Sequence, residues 1–364
     1  MISFLQLTPG EDATEIEAAI RRVVSRGWFV LGPELEAFEQ EFGLACHAPH
    51  VVGVGTGTDA LAVALRALDI GPGAEVITSP LSAAYTALAI MAAGARPVFA
   101  DIDPSRLTLD PSAVAAAVTP RTAAIMPVHI YGQPADMPAL MAVAARHGLA
   151  VVEDCCQAHL ATCAGQPVGS FGTAAAYSFY PTKNLGALGD AGAITTADPV
   201  LAERARRIRN GGQSDRYLHE EFGVNSRLDE MQAAILRARL AFLPAWTARR
   251  RALGREYRAA LAATAAVTVP REHDAGHVYH LFPVLSPARE TTREHLANAG
   301  VQTLIHYPIP VSRQRAVVSA DACPIAERVC AQVFSLPLHP ALDIGAVHQV
   351  VDALRGCAVV APDC

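Results

Sequence analysis

Seven short apolar runs, most of them separated by helical segments, limit the possible folds of this chain more than any other feature. They lie at residues 51–54, 75–78, 97–102, 123–130, 149–155, 174–180 and 192–196. Each run is apolar along its length instead of alternating, which is typical of strands buried on both faces. The pattern predicts an α/β fold with a mostly parallel seven-stranded sheet.

The segments around these runs suggest two domains, because 364 residues exceed what one hydrophobic core usually holds. Residues 12–26 and 33–42 read as an N-terminal helical arm, and residues 227–263 as a long helical region interrupted near Pro244. Beyond it, a strand at 278–285 and a helix at 291–299 indicate a smaller α+β domain. We predict a large domain over residues 1–240 and a C-terminal domain over residues 241–364.

Composition and charge argue against several classes of function. A net charge of -6 gives no electrostatic footprint for nucleic acid. No apolar stretch approaches the about 18 residues that a membrane span needs, and no leader pattern is present, so we expect a cytoplasmic protein. The eight cysteines lack zinc-site spacing, so we expect no metal and read them as buried, reduced side chains. The arginine clusters at 204–209 and 249–251 read as solvent-facing helix surfaces.

Lys183 is the only lysine, since the other 28 of the 29 lysine and arginine side chains are arginine. A buried ammonium can lose its proton and attack a carbonyl carbon, which a guanidinium cannot do. The simpler reading, a lysine left at a surface site by compositional drift, stays open on this observation alone.

A glycine-rich turn precedes the helix that follows the first apolar run. Its residues Gly57, Thr58 and Asp59 can offer free amides and a positive helix end to a phosphate. A dinucleotide fingerprint would need glycine at Thr58. The alternative is that Thr58 or Asp59 is a plain helix N-cap.

Asp154 ends the fifth apolar run, at the edge of the sheet where ligands of α/β proteins bind. A buried carboxylate there needs a positively charged partner, such as a protonated pyridine nitrogen, although it could also cap a loop. Ser178 and Thr182 add hydroxyl groups beside Lys183. Phosphate donors, a strand-end carboxylate and one lysine are the groups that a pyridoxal 5'-phosphate site requires.

The chain resembles the DegT/DnrJ/EryC1/StrS family of pyridoxal-phosphate sugar aminotransferases, which have the aspartate aminotransferase fold of type I. The resemblance is carried by five segments in family order: Gly57-Thr-Asp-Ala-Leu, Glu153-Asp-Cys-Cys-Gln-Ala-His, Ser178-Phe-Tyr-Pro-Thr-Lys-Asn-Leu-Gly, Gly223-Val-Asn-Ser-Arg-Leu-Asp-Glu and His306-Tyr-Pro.

This resemblance implies roles for individual residues. Lys183 would form an imine with the cofactor, and Asp154 would pair with the pyridinium nitrogen. Gln157 would approach the ring 3'-oxygen. The implied cofactor-binding set is Gly57, Thr58, Asp59, Tyr85, Asp154, Gln157, Ser178, Lys183 and Asn225. Because the family's matching asparagine reaches the neighbouring subunit's cofactor, Asn225 implies a homodimer with shared active sites.

One departure concerns the aromatic residue that family members commonly stack on the cofactor ring. Ala83 occupies the matching position, and Tyr85 lies two residues later. We therefore expect Tyr85 to supply the ring face.

The expected reaction moves an amino group from glutamate to a nucleotide-linked keto-6-deoxy sugar. Residues 209–217 look like those of members that act on dTDP-3-keto sugars. His306, Tyr307 and Arg216 are the candidate substrate contacts, although His306-Tyr307-Pro308 could equally be a structural turn. Acceptors with a 4-keto group, keto-cyclitols and a cofactor-binding regulatory protein without turnover stay open. Dehydration is disfavoured, because the family's dehydratases carry histidine in place of Lys183.

Overall fold

The computed structural model describes residues 1–317 and 319–357. Its strands are β1 (His50–Val54), β2 (Glu75–Thr78), β3 (Arg96–Phe99), β4 (Thr122–Met126), β5 (Ala150–Asp154), β6 (Thr162–Cys163), β7 (Gln166–Pro167), β8 (Ala174–Ser178), β9 (Gly192–Thr196), β10 (Gln213–Asp215), β11 (Leu218–His219), β12 (Phe282–Leu285) and β13 (Val333–Leu336). Its α-helices are α1 (Ala13–Arg26), α2 (Pro33–Cys46), α3 (Gly57–Ala67), α4 (Tyr85–Ala92), α5 (Pro111–Ala117), α6 (Met137–His147), α7 (Pro199–Arg209), α8 (Glu230–Leu240), α9 (Leu243–Leu261), α10 (Arg289–Asn298), α11 (Pro324–Gln332) and α12 (Ile344–Arg355).

A seven-stranded sheet in the order β1-β9-β8-β5-β4-β2-β3 forms the centre of the fold. The pairs β2–β3, β2–β4, β4–β5 and β5–β8 are parallel. Only β9 runs against its neighbours, pairing antiparallel with β8 and β1. All seven apolar runs are strands of this sheet, which confirms the predicted mostly parallel architecture.

Both faces of the sheet are buried, as the continuous apolar runs predicted. Successive side chains of a strand point to opposite faces. Val151 accordingly packs into the core with α2 and α6, whereas Val152 packs into the core with α3 and α7. The sheet is thus the middle layer of a three-layer structure.

Helices α1 and α2 dock on α8, which lies about 200 residues further along the chain in sequence. The buried carboxylate of Glu230 accepts the backbone amides of Gly32, Glu34 and Leu35 at 2.9 Å each, and so caps the start of α2. The Glu34 side chain in turn contacts Arg22 of α1 at 2.7 Å and Arg237 of α8 at 2.6 Å. The Arg22 hydrogen bond and the nearby Arg237 lower the pKa of Glu34 to about 2.

The C-terminal part has its own hydrophobic core around the antiparallel pair β12–β13, covered by α9, α10 and α12. Strand β12 is shorter than the predicted run at 278–285, and α10 coincides with the predicted helix at 291–299. The long helical region breaks at residues 241–242, so that Pro244 lies in the first turn of α9, where proline is tolerated. The structure thus confirms the predicted α+β character of this part.

The expectation that both arginine clusters face solvent is wrong for two members. Arg209 is 7% exposed, and its Nη1 pairs with Glu39 at 2.7 Å. Arg250 is 5% exposed on the inner face of α9. Successive side chains of a helix point in different directions, so a run of charged residues places some of them against the neighbouring element. Sequence spacing alone does not show which ones are buried.

The cysteines are mostly buried, as expected: Cys46, Cys155, Cys163, Cys323 and Cys330. Cys156 and Cys357 are partly exposed, and Cys364 lies outside the described residues. In the part of the chain that the structure describes, no helix combines the length and apolarity that crossing a bilayer requires.

Candidate active site

Strands β1, β5 and β8 end at the same edge of the sheet. Gly192, the first residue of β9, pairs with both Val54 and Ser178, the last residues of β1 and β8. The loop from β8 to β9 carries Lys183, and α3 begins three residues after β1. The topology therefore brings the glycine-rich turn, the strand-end carboxylate and the lysine together.

A cavity of about 580 Å³ opens at this edge. Nine of the predicted site residues line it: Gly57, Thr58, Tyr85, Asp154, Gln157, Ser178, Lys183, His306 and Tyr307. A larger surface groove of about 1110 Å³ along α10 contains none of them.

Lys183 lies in a tight loop. Its backbone amide donates to the carbonyl of Tyr180 at 2.8 Å, and a Cβ on Gly186 would lie 2.6 Å from the carbonyl oxygen of Pro181. Burial lowers the pKa of Lys183, and the nearby Cys156 and Asp154 only partly offset this effect. A larger fraction of the side chain is therefore in the unprotonated, nucleophilic amine form than would be the case for a lysine on the surface.

Asp154 presents its carboxylate to the cavity. Its Oδ2 accepts a hydrogen bond from Thr86 Oγ1 at 2.8 Å, and its Oδ1 accepts one from the amide of Cys156 at 3.1 Å. Both donors are neutral, and no side chain among the described residues forms an ion pair with it. The carboxylate is thus oriented by protein groups and can still pair with a cation.

The neighbouring Glu153 points to the opposite face of the sheet and has a structural role. Its carboxylate accepts the amides of Gly169, Phe171 and Gly172 at 2.8–2.9 Å and the His129 Nε2 proton at 3.1 Å. The ligand atoms of His129, Glu153 and Cys155 lie within 4.8 Å of one another. Four donors already occupy the oxygens of Glu153, which leaves them no free lone pair for an ion.

Helix α3 begins at Gly57, and its N-cap is Thr56, whose Oγ1 accepts the amide of Asp59 at 3.0 Å. The alternative that Thr58 or Asp59 is the cap is therefore wrong. The amides of Gly57 and Thr58 have no acceptor in the preceding turn and face the cavity end of the helix. A Cβ on Gly57 would lie 2.6 Å from Ser178 Cβ and 2.9 Å from Cys156 Sγ, so only glycine allows this approach.

Gln157 is fixed between two tyrosines. Its Oε1 accepts the amide of Tyr131 at 2.7 Å, and its Nε2 donates to the Tyr307 hydroxyl at 3.1 Å. The Tyr131 hydroxyl donates to the carbonyl of His306. Burial raises the pKa of Tyr307 to about 12, so its phenol stays protonated and can donate into the cavity.

His306 lies beside this network, with Nδ1 3.0 Å from Ser335 Oγ. Burial and the charge of Lys183 lower the pKa of His306 to about 4. The imidazole is therefore neutral at physiological pH.

Three predicted site residues do not line the cavity. The carboxylate of Asp59 accepts a hydrogen bond from Ser226 Oγ at 2.7 Å, which turns it toward the loop at 223–227. Asn225 is exposed in that loop. Arg216 is exposed in the β10–β11 hairpin, with its guanidinium carbon 5.0 Å from the centre of the Tyr217 ring. Tyr85, by contrast, lies at the mouth of the cavity and is 65% exposed.

The sequence did not indicate Thr86 or His280, which also line the cavity. The ring of His280 contacts Asn184 Oδ1 through Nδ1 at 3.2 Å, and burial together with the charge of Lys183 lowers its pKa. Neither residue belongs to a motif around Lys183 or Asp154. Cys156 also lines the cavity. Its position in the sequence between Asp154 and Gln157 was the one feature that could have identified it as a site residue.

Comparisons with known proteins agree with this geometry. The dTDP-3-amino-3,4,6-trideoxy-alpha-D-glucose transaminase of Streptomyces venezuelae is 48% identical over 361 residues, which cover 97% of this chain and 95% of that protein. The crystal structure of S. venezuelae DesV in complex with a ketimine intermediate superposes with a TM-score of 0.95 at 48% identity and 97% coverage of both chains. Bacillus subtilis NtdA with bound cofactor PMP has a TM-score of 0.90 at 31% identity, covering 97% of this chain and 84% of that one.

The model of the DegT/DnrJ/EryC1/StrS aminotransferase family matches residues 11–355, nearly the whole chain. The five segments that carried the resemblance all lie within this match, and four of them bring residues into the one cavity. The protein belongs to the DegT/DnrJ/EryC1/StrS aminotransferase family.

Proposed function

We propose that this protein is a pyridoxal-phosphate-dependent aminotransferase that moves an amino group from glutamate to the C3 keto group of a dTDP-linked 6-deoxy sugar. The observation that carries the proposal is the meeting of its one lysine, an oriented carboxylate and the free amides of α3 in a single cavity. Family membership supports the reaction class. The relative from S. venezuelae, whose name specifies a 3-amino dTDP sugar, supports the acceptor.

The residues around the cavity fit pyridoxal 5'-phosphate. The close approach of Gly57 to Ser178 leaves backbone amides and a hydroxyl for the phosphate. Asp154 has neutral donors only, so it can hold a protonated ring nitrogen. When bound, the cofactor supplies an electron sink for the carbanion formed at the donor's α-carbon.

Lys183 then acts in two ways. Its Nζ would hold the cofactor through the aldehyde, and the same amine is the group that would take and return the proton of the donor's α-carbon. The pKa of Lys183, lowered by burial, favours the unprotonated state that this step needs. Asp154 would hold the cofactor's ring nitrogen and favour its protonated form, because a negative charge stabilises a pyridinium.

Gln157 and Tyr307 form the polar wall of the cavity. Tyr131 fixes the Gln157 amide, which orients the amide for the cofactor's 3'-oxygen. Tyr307 and the neutral His306 can donate hydrogen bonds to sugar hydroxyls. Tyr85, at the mouth of the cavity, would supply the aromatic ring that covers the cofactor.

We also propose a homodimer in which Asn225 and Arg216 complete the partner's site. Both are exposed and lie away from the cavity of their own subunit. Trp28, Phe29 and Leu188 are also exposed, and Tyr180 is exposed at the cavity itself. Large apolar side chains of this kind commonly mark an interface.

The test uses the fact that only one lysine exists. Borohydride reduction of the pyridoxal-phosphate-loaded protein, followed by peptide mass mapping, should place a pyridoxyl group on the Lys183 peptide. Lys183→Arg keeps the positive charge and should lose both the adduct and glutamate-dependent turnover. An unmodified Lys183 peptide, or appreciable turnover by the arginine variant, would refute the proposal.

The acceptor is tested separately. Cofactor loaded in the amino form is offered dTDP-3-keto and dTDP-4-keto 6-deoxy sugars in single-turnover reactions, and the product's amine position is read by NMR. Amination at C4 would overturn the regiochemistry while leaving the reaction class intact.

A further inference from the structure

Two side-chain nitrogens of the strand-end cavity lack a hydrogen-bond partner, and their chemistry is complementary. Within residues 1–317 and 319–357, Lys183 Nζ makes no hydrogen bond and neither does His280 Nε2, although neither atom is sealed inside the protein. Both residues line this cavity. The lysine amine lies on this side of its loop, because its charge lowers the pKa of His280 and of His306, which lines the cavity too.

Asn184 determines which nitrogen of the His280 ring carries the proton. A backbone carbonyl only accepts hydrogen bonds, so the Asn184 Nδ2 group donates to the carbonyl of Val278 at 3.2 Å. This fixes the orientation of the amide and leaves its Oδ1, an acceptor, 3.2 Å from His280 Nδ1. Nδ1 is therefore the donor in this contact and holds a proton.

The His280 ring carries no second proton. Burial lowers its pKa well below the usual value, and the charge of Lys183 is the next largest cause. Arg250, His306 and His159 act in the same direction. The imidazole is thus neutral, and its Nε2 has a lone pair and no hydrogen. This nitrogen can accept a hydrogen bond into the cavity, but it is too weakly basic to take up a proton.

The protonated form of Lys183 needs such an acceptor. The charges of Cys156 and Asp154 raise the pKa of Lys183, yet both groups have other roles. The Cys156 thiol, kept neutral by the rise in its pKa on burial, donates to the carbonyl of Ala176 at 3.8 Å. Asp154 serves the cofactor's ring nitrogen in the proposed function. An ammonium without acceptors is costly away from water, and His280 Nε2 is a neutral group that can only accept.

We propose that His280 positions the reacting amine, with its Nε2 accepting a hydrogen bond from Lys183 Nζ whenever Nζ carries the proton of the donor's α-carbon. This deepens the proposed function and rests on it for the role in turnover. The proton stays on Nζ throughout, so no covalent bond to the histidine forms or breaks. Asn184 couples the two groups, because it follows Lys183 in the chain and holds the His280 ring.

The single lysine makes the test direct, since protein grown on isotopically labelled lysine gives one lysine side-chain signal in NMR spectra. Its pH titration is recorded on the full chain, both without cofactor and with the cofactor in its amino form, which leaves the Lys183 amine free. His280→Asn keeps a donor for Asn184 but has no atom in the place of Nε2. The ratio of protonated to unprotonated Lys183 at a given pH should fall by about tenfold, the usual effect of removing a hydrogen bond from a charged group.

His280→Gln is the matched control. Its longer side chain brings an amide oxygen to the place of Nε2, so the ratio should stay close to that of wild type. An unchanged ratio in the asparagine variant would overturn the proposal. An equal fall in both variants would overturn it too, because the loss of the acceptor would then not be the cause.

A second measurement covers the case in which the asparagine variant fails to fold. Nitrogen NMR of wild-type protein labelled in its histidines reads the tautomer of each ring, and the His280 signals are those missing from His280→Gln. We expect a proton on Nδ1 and none on Nε2 at neutral pH, with the Nε2 signal moving as Lys183 titrates. A proton on Nε2, or an Nε2 signal that ignores the titration, would contradict the proposal.

Failure of the proposed function gives a different result. A wild-type protein that does not convert its cofactor with glutamate in a single turnover lacks the donor half-reaction. The lysine titration of the cofactor-free chain would, in that event, still show whether His280 holds the amine. If the half-reaction does occur, its rate should fall in His280→Asn and recover in His280→Gln.

Discussion

Thr86 Oγ1 donates a 2.8 Å hydrogen bond to Asp154 Oδ2, so the first turn of α4 orients the carboxylate that ends β5. Thr86 Oγ1 is also 3.1 Å from Ser82 Oγ. Thr86→Val should remove the hydrogen bond that orients the Asp154 carboxylate. The dissociation constant for pyridoxal 5'-phosphate should then rise by about tenfold, as expected when a charged acceptor loses a donor. An absorbance titration of the cofactor-free protein measures this.

Thr86→Ser is the matched control for this prediction. It keeps the hydroxyl and should bind the cofactor almost as well as wild type. Equal loss in both variants would mean that Thr86 acts through packing of its methyl group instead.

Gly57→Ala should disrupt the junction between α3 and β8. The new Cβ would lie 2.6 Å from Ser178 Cβ, closer than carbon atoms can pack, so backbone or side chain must move. Overpacking of this kind costs about 1–3 kcal/mol of unfolding free energy, and the displaced amides should also bind phosphate less well. Urea unfolding and cofactor titration measure the two effects.

Gly345→Ala tests whether the effect is specific. It lies in the first turn of α12, and its new Cβ would be 3.9 Å from the nearest Asp343 atom. Stability should be unchanged or slightly higher. If the two glycine variants unfold alike, crowding at Ser178 is not the cause.

Mixing two inactive variants should restore activity if the sites are shared. Lys183→Ala lacks the amine, and Asn225→Ala lacks the residue offered to the neighbouring subunit. A mixed dimer has one complete site, so random reassociation should give about a quarter of wild-type turnover. A mixture as inactive as its components would mean that Asn225 serves its own subunit, and an active Asn225→Ala variant would mean that it serves neither site.

Stability should depend on His159 at acidic pH. The ring is fully buried between Tyr177 and Phe179, and within the described residues neither nitrogen makes a hydrogen bond. Burial lowers its pKa to about 3. The folded protein keeps this ring neutral, whereas the unfolded chain takes up a proton below pH 6.5. Stability from this group is therefore present above pH 6.5 and lost as the pH falls toward 3, at about 1.4 kcal/mol per pH unit.

Urea unfolding of His159→Phe at several pH values tests this. Near about pH 5, its unfolding free energy should fall with decreasing pH less steeply than that of wild type, by close to one proton's contribution. His147→Phe, at the exposed end of α6, controls for the added aromatic ring. An unchanged slope in the His159 variant would show that this histidine does not resist protonation.

The sheet was predictable from sequence because burial on both faces produces continuous apolar runs. The direction of β9 was not predictable, because an apolar run does not show which way a strand runs in the sheet. Only the shortness of the 179–191 loop requires the chain to turn back. The hairpins β6–β7 and β10–β11 were missed because strands of two or three residues show no periodicity.

The residues of the candidate site were likewise only partly predictable from the sequence. Lys183 and Asp154 were predictable because their chemistry is rare at such positions. Asp59 belongs to the same motif as Gly57, yet its carboxylate turns to Ser226, a contact that depends on a loop 167 residues away. The burial of Arg250 was not predictable, because it lies between two other arginines and only the packing of α9 determines which of the three is buried.

The cap that Glu230 places on α2 has a consequence for how the chain is made. Helices α1 and α2 leave the ribosome long before residue 230, so the carboxylate that accepts the amides at the start of α2 does not yet exist. The start of α2 therefore lacks this cap while the central strands are synthesised. The contacts of the first two helices with α8 thus form late, and chaperone binding to this segment would mark the interval.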